Sequence, residues 1–116
     1  MQFLSIEAFI PSGKDFNKAR DFFVELGFTV NWEQGGYAGL QRENCRFILQ
    51  AYDNFEFASN LMLSVKVDKL EEFRQQVLEK QLPEKYGVRL GEITRQPDGR
   101  EVNLIDMAGV CWHFVE

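Results

Sequence analysis

The sequence has few of the residues from which metal centres and disulfide frameworks are built. Its 116 residues include one histidine and two cysteines, Cys45 and Cys111, with no Cys-x-x-Cys pair. Zinc and related metals usually take several histidine and cysteine ligands, so a zinc finger or a multi-histidine centre is excluded. In a chain with 45% hydrophobic residues, two cysteines predict reduced, buried thiols rather than a disulfide.

Long apolar runs and an excess of positive charge are also absent. No stretch approaches the ~20 apolar residues of a membrane span, and no basic segment followed by an apolar run opens the sequence. Thirteen Lys and Arg residues stand against eighteen Asp and Glu, which gives a formal net charge of −5. Such a surface repels the phosphates of nucleic acids and of anionic lipids. We therefore expect a cytoplasmic protein without a nucleic-acid or membrane partner.

The motifs of several enzyme classes are missing as well, whereas phenylalanine is abundant. There is no glycine-rich phosphate loop and no Ser–His–Asp order. The chain has eleven phenylalanines, and a side chain without a polar tip is expected in a core or along an apolar cavity. The composition leaves both alternatives open. The length fits one domain.

The first half of the chain predicts a strand, a helix and three further strands. Phe3–Ile10 alternates in the manner of a strand, and Gly13–Leu26 has apolar residues at helical spacing. Ser12 with Asp15 is a candidate capping box, and Gly27 is placed for a left-handed C-terminal cap. The three further strands, separated by turn residues, are Phe28–Glu33, Tyr37–Arg42 and Cys45–Tyr52.

The same pattern starts again after a polar and aromatic connector, Asp53–Ser59. Leu61–Val67 alternates like a strand, Asp68 with Glu71 is a second candidate capping box, and a helical stripe continues to Pro83. A longer loop and three strands follow, at Leu82–Gly87, Val88–Arg95, Arg100–Ile105 and Val110–Val115. A period of about 55 residues indicates a duplicated supersecondary unit. A ferredoxin-like fold would have only two strands between the helices, so the duplicated unit is favoured.

Several segments resemble the vicinal oxygen chelate superfamily, which includes glyoxalase I, extradiol dioxygenases, and fosfomycin and bleomycin resistance proteins. Asp15–Phe23 with the following Leu-Gly-Phe is similar to its first helix, and Val65–Asp68 to the start of its second module. Gly99–Glu101 with Asp106 and Gly109 resembles its last hairpin. The resemblance spans the whole chain.

The resemblance implies an α+β fold in a single domain. Two paired βαβββ modules, about residues 1–54 and 58–116, would form curved mixed sheets around a cavity, with the helices outside. Members of this length usually form homodimers, sometimes by exchanging elements, so a homodimer is expected.

Metal-using members of the superfamily take ligands from four cavity-facing positions. The resemblance maps these positions onto Glu7, Ile48 or Gln50, Met62 and His113. A divalent transition metal needs about three good donors and an open position, and only Glu7 and His113 qualify. We therefore expect no metal and no other cofactor.

The first functional hypothesis is a metal-free binding protein of the bleomycin-resistance type, without catalytic residues. It would sequester a small molecule through six candidate ligand-binding residues: Glu7, Phe9, Gln50, Met62, Ser64 and His113. Glu7 would attract a cationic group. Five aromatic residues are candidates for stacking on a planar ligand, although aromatic residues more often have an ordinary packing role: Trp32, Tyr37, Tyr52, Phe55 and Phe57.

Two other functions stay open. One is a metal-dependent lyase, thiol transferase or dioxygenase whose site is completed by a dimer. The other is a dimeric structural or interaction protein whose curved sheets hold no ligand. His113 is either a hydrogen-bonded strand histidine or a polar anchor bonded to Glu7. A Cys111–His113 nucleophile is conceivable, but no oxyanion donor is evident.

Overall fold

A computed structural model describes residues 1–116 and contains nine strands and four helices. The first half comprises β1 Phe9–Pro11, α1 Phe16–Glu25, β2 Thr29–Gln34, β3 Tyr37–Arg42, β4 Cys45–Gln50 and α2 Phe55–Ser59. The second half comprises β5 Met62–Lys66, α3 Leu70–Glu79, α4 Leu82–Tyr86, β6 Arg89–Leu90, β7 Thr94–Gln96, β8 Gly99–Ile105 and β9 Cys111–Val115. None of the helices has the length and apolar character that crossing a bilayer requires.

The two halves repeat one topology. The first sheet has the order β1-β4-β3-β2, and the second has the order β5-β9-β8-β6, with β7 also paired to β8. In each sheet the first strand pairs in parallel with the last strand, β1 with β4 and β5 with β9, while the other pairs are antiparallel. This arrangement confirms the predicted α+β class and the duplicated module.

A single cluster of 22 buried apolar residues forms the core. Phe23 on α1 is at its centre, with ring centroids 5.0 Å from Phe47 on β4 and 5.4 Å from Trp112 on β9. The Phe47 and Trp112 rings also touch, at 5.3 Å. The core therefore joins the two sheets through the faces that carry the helices.

Each sheet consequently has a second face that is not part of this core. Alternate side chains along a strand point to opposite faces, so Phe47 and Leu49 are buried whereas Ile48 and Gln50 are only partly covered. In the second sheet the outward set includes Met62, Ser64, Glu101, Asn103, Cys111 and His113, all exposed or partly exposed. We refer to these surfaces as the open face of the first sheet and the open face of the second sheet.

The N-terminal strand is much shorter than the predicted Phe3–Ile10. Only Phe9–Pro11 pairs with β4, and Ala8 accepts one further hydrogen bond, from the Ile48 amide. Residues 1–8 form a segment that we call the N-terminal arm, and its apolar side chains lie in solvent. Phe3 is 92% exposed, Leu4 89% and Ile6 96%. The alternation is present, but no strand of the same chain lies beside it.

The first helix begins later than predicted and uses a different cap. Asp15, not Ser12, is the N-cap, and its carboxylate accepts a hydrogen bond from the Lys18 amide at 3.0 Å. Ser12 is buried and donates instead to the Gly13 carbonyl. The predicted C-terminal cap is confirmed, because Gly27 has a φ of +110°, a value that strains any residue with a Cβ.

The second helix also lacks its predicted capping box. Helix α3 begins at Leu70, and no side chain of its own first turn caps it. The Glu116 carboxylate accepts the Leu70 amide at 3.0 Å and takes that role. A cap supplied from the far end of the chain cannot be seen in a local motif.

Three segments between the main elements differ from the predictions. The connector before β5 contains helix α2, which Asn54 caps by accepting the Phe57 amide. The predicted loop Leu82–Gly87 contains helix α4, which has a proline in its first turn and Gly87 at its C-cap. The predicted strand Val88–Arg95 is divided into β6 and β7.

The turn between β8 and β9 is organised by a buried carboxylate. Asp106 is 5% exposed, and its side chain accepts hydrogen bonds from the backbone amides of Ala108, Gly109 and Val110. It also accepts one from Trp112 Nε1 at 2.9 Å. Burial raises the pKa of Asp106, and these four hydrogen bonds oppose that rise.

Candidate functional site

The open face of the second sheet carries a row of polar side chains. His113 on β9 lies opposite Ser64 on β5 and opposite Asn103 on β8. The neighbouring row places Met62 beside Cys111. Opposed residues of paired strands share a face, so β5, β8 and β9 together present a thioether, a thiol, an imidazole, a hydroxyl and an amide to solvent.

Three of these side chains form a hydrogen-bonded line. His113 Nδ1 is 3.0 Å from Glu101 Oε2, and His113 Nε2 is 3.4 Å from Cys111 Sγ. The side chains of His113 and Glu101 are 25% and 21% exposed, so the pair is reachable from solvent. Glu101 has no signal for this role in the sequence, because only the register of β8 against β9 brings its carboxylate to His113.

The two cysteines have different environments. Cys45 is exposed at the start of β4, which contradicts the prediction that both thiols are buried, whereas Cys111 is partly buried. Burial raises the pKa of the Cys111 thiol, and the carboxylates of Glu101 and Asp106 raise it further. Spontaneous ionisation of the Cys111 thiol to a thiolate is therefore disfavoured.

The open face of the first sheet is aromatic. A bulge between Val30 and Trp32 breaks the β2–β3 register and pairs Trp32 with Gly39. The indole lies over this glycine, since a Cβ built on Gly39 would be 2.1 Å from Trp32 Nε1. The ring remains 45% exposed. Gly39 therefore provides the space that allows the indole to lie on the sheet.

Two more aromatic side chains extend this surface. Phe9 and Tyr37 meet edge to face with centroids 5.9 Å apart, and they are 55% and 37% exposed. We call Phe9, Trp32 and Tyr37 the aromatic platform. Phe57 on α2 instead contacts Tyr52, and Phe55, also on α2, lies against Gly109. These three residues are therefore not part of the platform.

The structure distributes the six candidate ligand-binding residues over three places. Met62, Ser64 and His113 share the open face of the second sheet, and Phe9 and Gln50 belong to β1 and β4 of the first. Glu7 lies in the N-terminal arm and accepts a hydrogen bond from Ser5 at 2.8 Å. The hypothesised hydrogen bond from Glu7 to His113 does not form, because Glu101 and Cys111 are the partners of the imidazole.

None of the six residues lines the main groove within the chain. That groove has a volume of about 390 Å³ and separates the start of α3 from the β3–β4 turn. Its lining combines apolar residues with both signs of charge: Leu26, Phe28, Val65, Val67, Phe73 and Phe114 with Arg42, Glu43, Lys66, Asp68, Lys69 and Glu72. The two open faces are thus surface features in a single copy of the chain.

The positions carried over from metal-using proteins do not assemble a set of metal ligands. Met62 offers a thioether, Gln50 lies in the other sheet, and His113 Nδ1 is engaged with Glu101. No group of three or more His, Cys, Asp or Glu side chains is arranged to hold a metal ion. A divalent transition metal needs about three such donors, so within one copy of the chain these residues do not fit one.

The fold of this chain is shared with proteins of known structure. No family model and no curated protein matches the sequence. Among solved structures, a bleomycin-binding protein complexed with bleomycin has a TM-score of 0.79 and 23% identity, over 98% of this chain and 98% of that one. A bleomycin resistance determinant encoded on transposon Tn5 has a TM-score of 0.81 and 22% identity, over 97% and 98% of the two chains.

A third solved structure with this fold is also an antibiotic-binding protein. TnmS3, an antibiotic binding protein from Streptomyces sp. CB03234, has a TM-score of 0.74 and 22% identity, over 99% of this chain and 97% of that one. The chain therefore has the fold of these antibiotic-binding proteins along nearly its whole length, and the fold expected from the sequence resemblance is confirmed.

Proposed function

We propose that this chain is a binding protein that sequesters a planar, positively charged small molecule between the open sheet faces of two copies, without a metal ion. The aromatic platform carries the proposal. An indole seated on a glycine, with about half of its surface in water, is a preformed stacking surface that core packing does not require. The structurally similar proteins that bind bleomycin or another antibiotic support a small-molecule ligand.

The charge of the chain supports a cationic ligand. The formal net charge is −5, and an acidic surface steers positively charged molecules toward the protein. Glu7 would bring a carboxylate to the site. Gln50, Ser64 and His113 would supply polar anchors, while Phe9 and Met62 would cover the apolar part of the ligand.

A second copy of the chain completes the site in this proposal. Strands β1 and β5 each have one edge without a partner strand, and the N-terminal arm exposes three large apolar side chains beside β1. Unpaired edges and exposed apolar segments favour association. In the proposed dimer the arm of one copy lies on its partner, and the aromatic platform of one copy faces the polar open face of the other.

We expect Trp32→Ala to weaken ligand binding by about 2 kcal/mol, or roughly thirtyfold, since aromatic anchors dominate many binding sites. Metal-free bleomycin is the first probe, and isothermal titration calorimetry measures its affinity. Phe57→Ala is the matched control, because Phe57 is also an exposed aromatic residue but lies on α2, outside the platform. Equal loss in both variants, or no saturable binding of bleomycin and of other planar cationic antibiotics, would contradict the proposal.

Metal removal is expected to leave this affinity unchanged. The protein purified without chelator should contain well under one equivalent of nickel, zinc, manganese or iron per chain, as measured by inductively coupled plasma mass spectrometry. Dialysis against EDTA should then change the dissociation constant by less than about twofold, because the chain offers too few donors for a bound ion. A stoichiometric metal, lost in His113→Ala together with ligand binding, would instead favour the enzyme hypothesis.

A further inference from the structure

The line Glu101–His113–Cys111 has the arrangement of an assisted nucleophile. Cys111 and His113 are two positions apart on β9, so their side chains share one face, with Sγ 3.4 Å from Nε2. A carboxylate 3.0 Å from Nδ1 favours the tautomer that carries its proton there. We infer this tautomer from the hydrogen bonds, and it directs the lone pair of Nε2 at the thiol.

Hydrogen-bond donors flank this line. Ser64 and Asn103 lie on either side of His113 in the paired strands, and both are exposed. A hydroxyl and an amide at these positions can donate to an oxygen of a bound molecule. Met62, 67% exposed and opposite Cys111, provides an apolar contact next to the sulfur.

We propose that Cys111 captures electrophilic small molecules covalently on the open face of the second sheet, with His113 as its general base and Glu101 as a positioning residue. The ligand class is molecules with an activated double bond, such as α,β-unsaturated carbonyl compounds. The inference rests on the proposed function, since the ligand reaches the same face, and adds a covalent bond to it.

The reaction is an addition that needs no other reactant. The Cys111 thiol proton moves to His113 Nε2 as the sulfur bonds to the β-carbon of the alkene. The π electron pair of the double bond shifts toward the carbonyl oxygen as an enolate, to which Ser64 or Asn103 donates a hydrogen bond. His113 returns the proton to the α-carbon, so the product is a thioether without a leaving group or a change of overall oxidation state.

The surroundings explain why the thiol depends on the base. Burial raises the pKa of Cys111, with contributions from Glu101 and Asp106, so a spontaneous thiolate is disfavoured. The Glu101 carboxylate that opposes a thiolate stabilises the imidazolium formed by proton transfer. Lys66 on β5 and Arg89 on β6 are the cationic residues that share this face by register, opposite Val115 and Ile105, and both are exposed.

Alkylation by N-ethylmaleimide tests the inference, with Cys45 as an internal control. Trypsin cleavage after Arg42, Arg46 and Arg100 places the two cysteines in separate peptides, so mass spectrometry follows each rate in one sample. Cys45 is exposed and Cys111 is partly buried. Exposure alone predicts faster modification of Cys45, whereas base assistance predicts faster modification of Cys111. Slower modification of Cys111 in the unaltered protein would overturn the inference.

Variants separate catalysis from simple accessibility. His113→Ala should slow alkylation of Cys111 on the order of a hundredfold without affecting Cys45, and added imidazole should restore part of the rate. Glu101→Gln should slow it about tenfold, because the orienting carboxylate is lost, while Glu101→Asp retains most of the rate. An unchanged Cys111 rate in both His113→Ala and Glu101→Gln contradicts the proposed base.

This test is independent of reversible binding. N-ethylmaleimide reports the thiol directly, and Phe57→Ala, a substitution on α2 outside both open faces, should leave the alkylation rate unchanged. Saturable binding of bleomycin together with an unassisted Cys111 would overturn the covalent step alone. Assisted alkylation without any binding of planar cationic molecules would overturn the proposed binding function alone.

Discussion

Asp106→Ala is expected to lower the free energy of unfolding by about 3–5 kcal/mol. The substitution removes the shared acceptor of three backbone amides and of Trp112 Nε1, most of them buried. A buried donor without an acceptor retains its full desolvation cost. The loss also reaches the core, because the Trp112 ring contacts Phe23 and Phe47. Urea unfolding followed by circular dichroism measures the change.

Asp98→Ala is the matched control for this prediction. Asp98 lies in the exposed turn between β7 and β8, and a surface substitution of this kind is usually within about 0.5 kcal/mol of neutral. Asp106→Asn should be intermediate, because the amide oxygen still accepts hydrogen bonds while the charge is lost. A loss below about 1 kcal/mol in Asp106→Ala would show that the turn satisfies its donors without the carboxylate.

Deletion of residues 2–7 is expected to convert a dimer into a monomer. The deletion retains Ala8, whose carbonyl accepts the Ile48 amide. Burial of a large apolar side chain contributes about 1.5–3 kcal/mol, and Phe3, Leu4 and Ile6 are almost fully exposed in one copy. Loss of these three contacts should raise the dissociation constant at least about a thousandfold. Sedimentation equilibrium measures it directly.

A surface change elsewhere serves as the control for the arm. Leu78 on α3 is 40% exposed and lies outside the arm, so Leu78→Ser should remain dimeric. The truncated chain should also bind bleomycin more weakly, since the site proposed above is completed by a second copy. A full-length chain that is monomeric at every concentration, or a truncated chain that still forms the dimer, argues against an arm-mediated assembly.

The sequence predicted the repeated module well because its signals are local. The predicted strand Tyr37–Arg42 coincides with β3, and the turn residues that follow it match the β3–β4 hairpin. The αL position of Gly27 depends on one residue and its helix. Such features need no knowledge of distant contacts, which is why they could be recognised in a single sequence.

The wrong predictions involve partners far apart in the chain. The Glu116 carboxylate accepts the hydrogen bond of the Leu70 amide at the start of α3. The residues around Leu70 contain no pattern that predicts a hydrogen-bond acceptor from the far end of the chain. The alternation in residues 3–8 predicts a strand that the chain does not form, since β1 is limited to Phe9–Pro11. Alternation alone cannot tell whether a neighbouring strand is available in the same chain. Helix α4 is different, since its proline and Gly87 signals were present in the sequence.

The candidate site could be predicted only in part for the same reason. The shared face of Cys111 and His113 follows from their spacing on one strand. Contact with Glu101 depends on the register of β8 against β9, which no single-strand pattern contains. The position of the Trp32 indole over Gly39 requires a bulge in β2. The residues around this bulge contain no sequence pattern that predicts it.

The placement of the two tryptophans gives the protein a pair of separate optical reporters. Trp112 is 3% exposed within the core, whereas Trp32 is 45% exposed on its glycine. Indole emission shifts with the polarity of its surroundings, so Trp112 should emit at shorter wavelengths and Trp32 at longer ones. Iodide should selectively quench the exposed Trp32. One fluorescence spectrum would then distinguish a molecule settling on the sheet from a loosening of the interior.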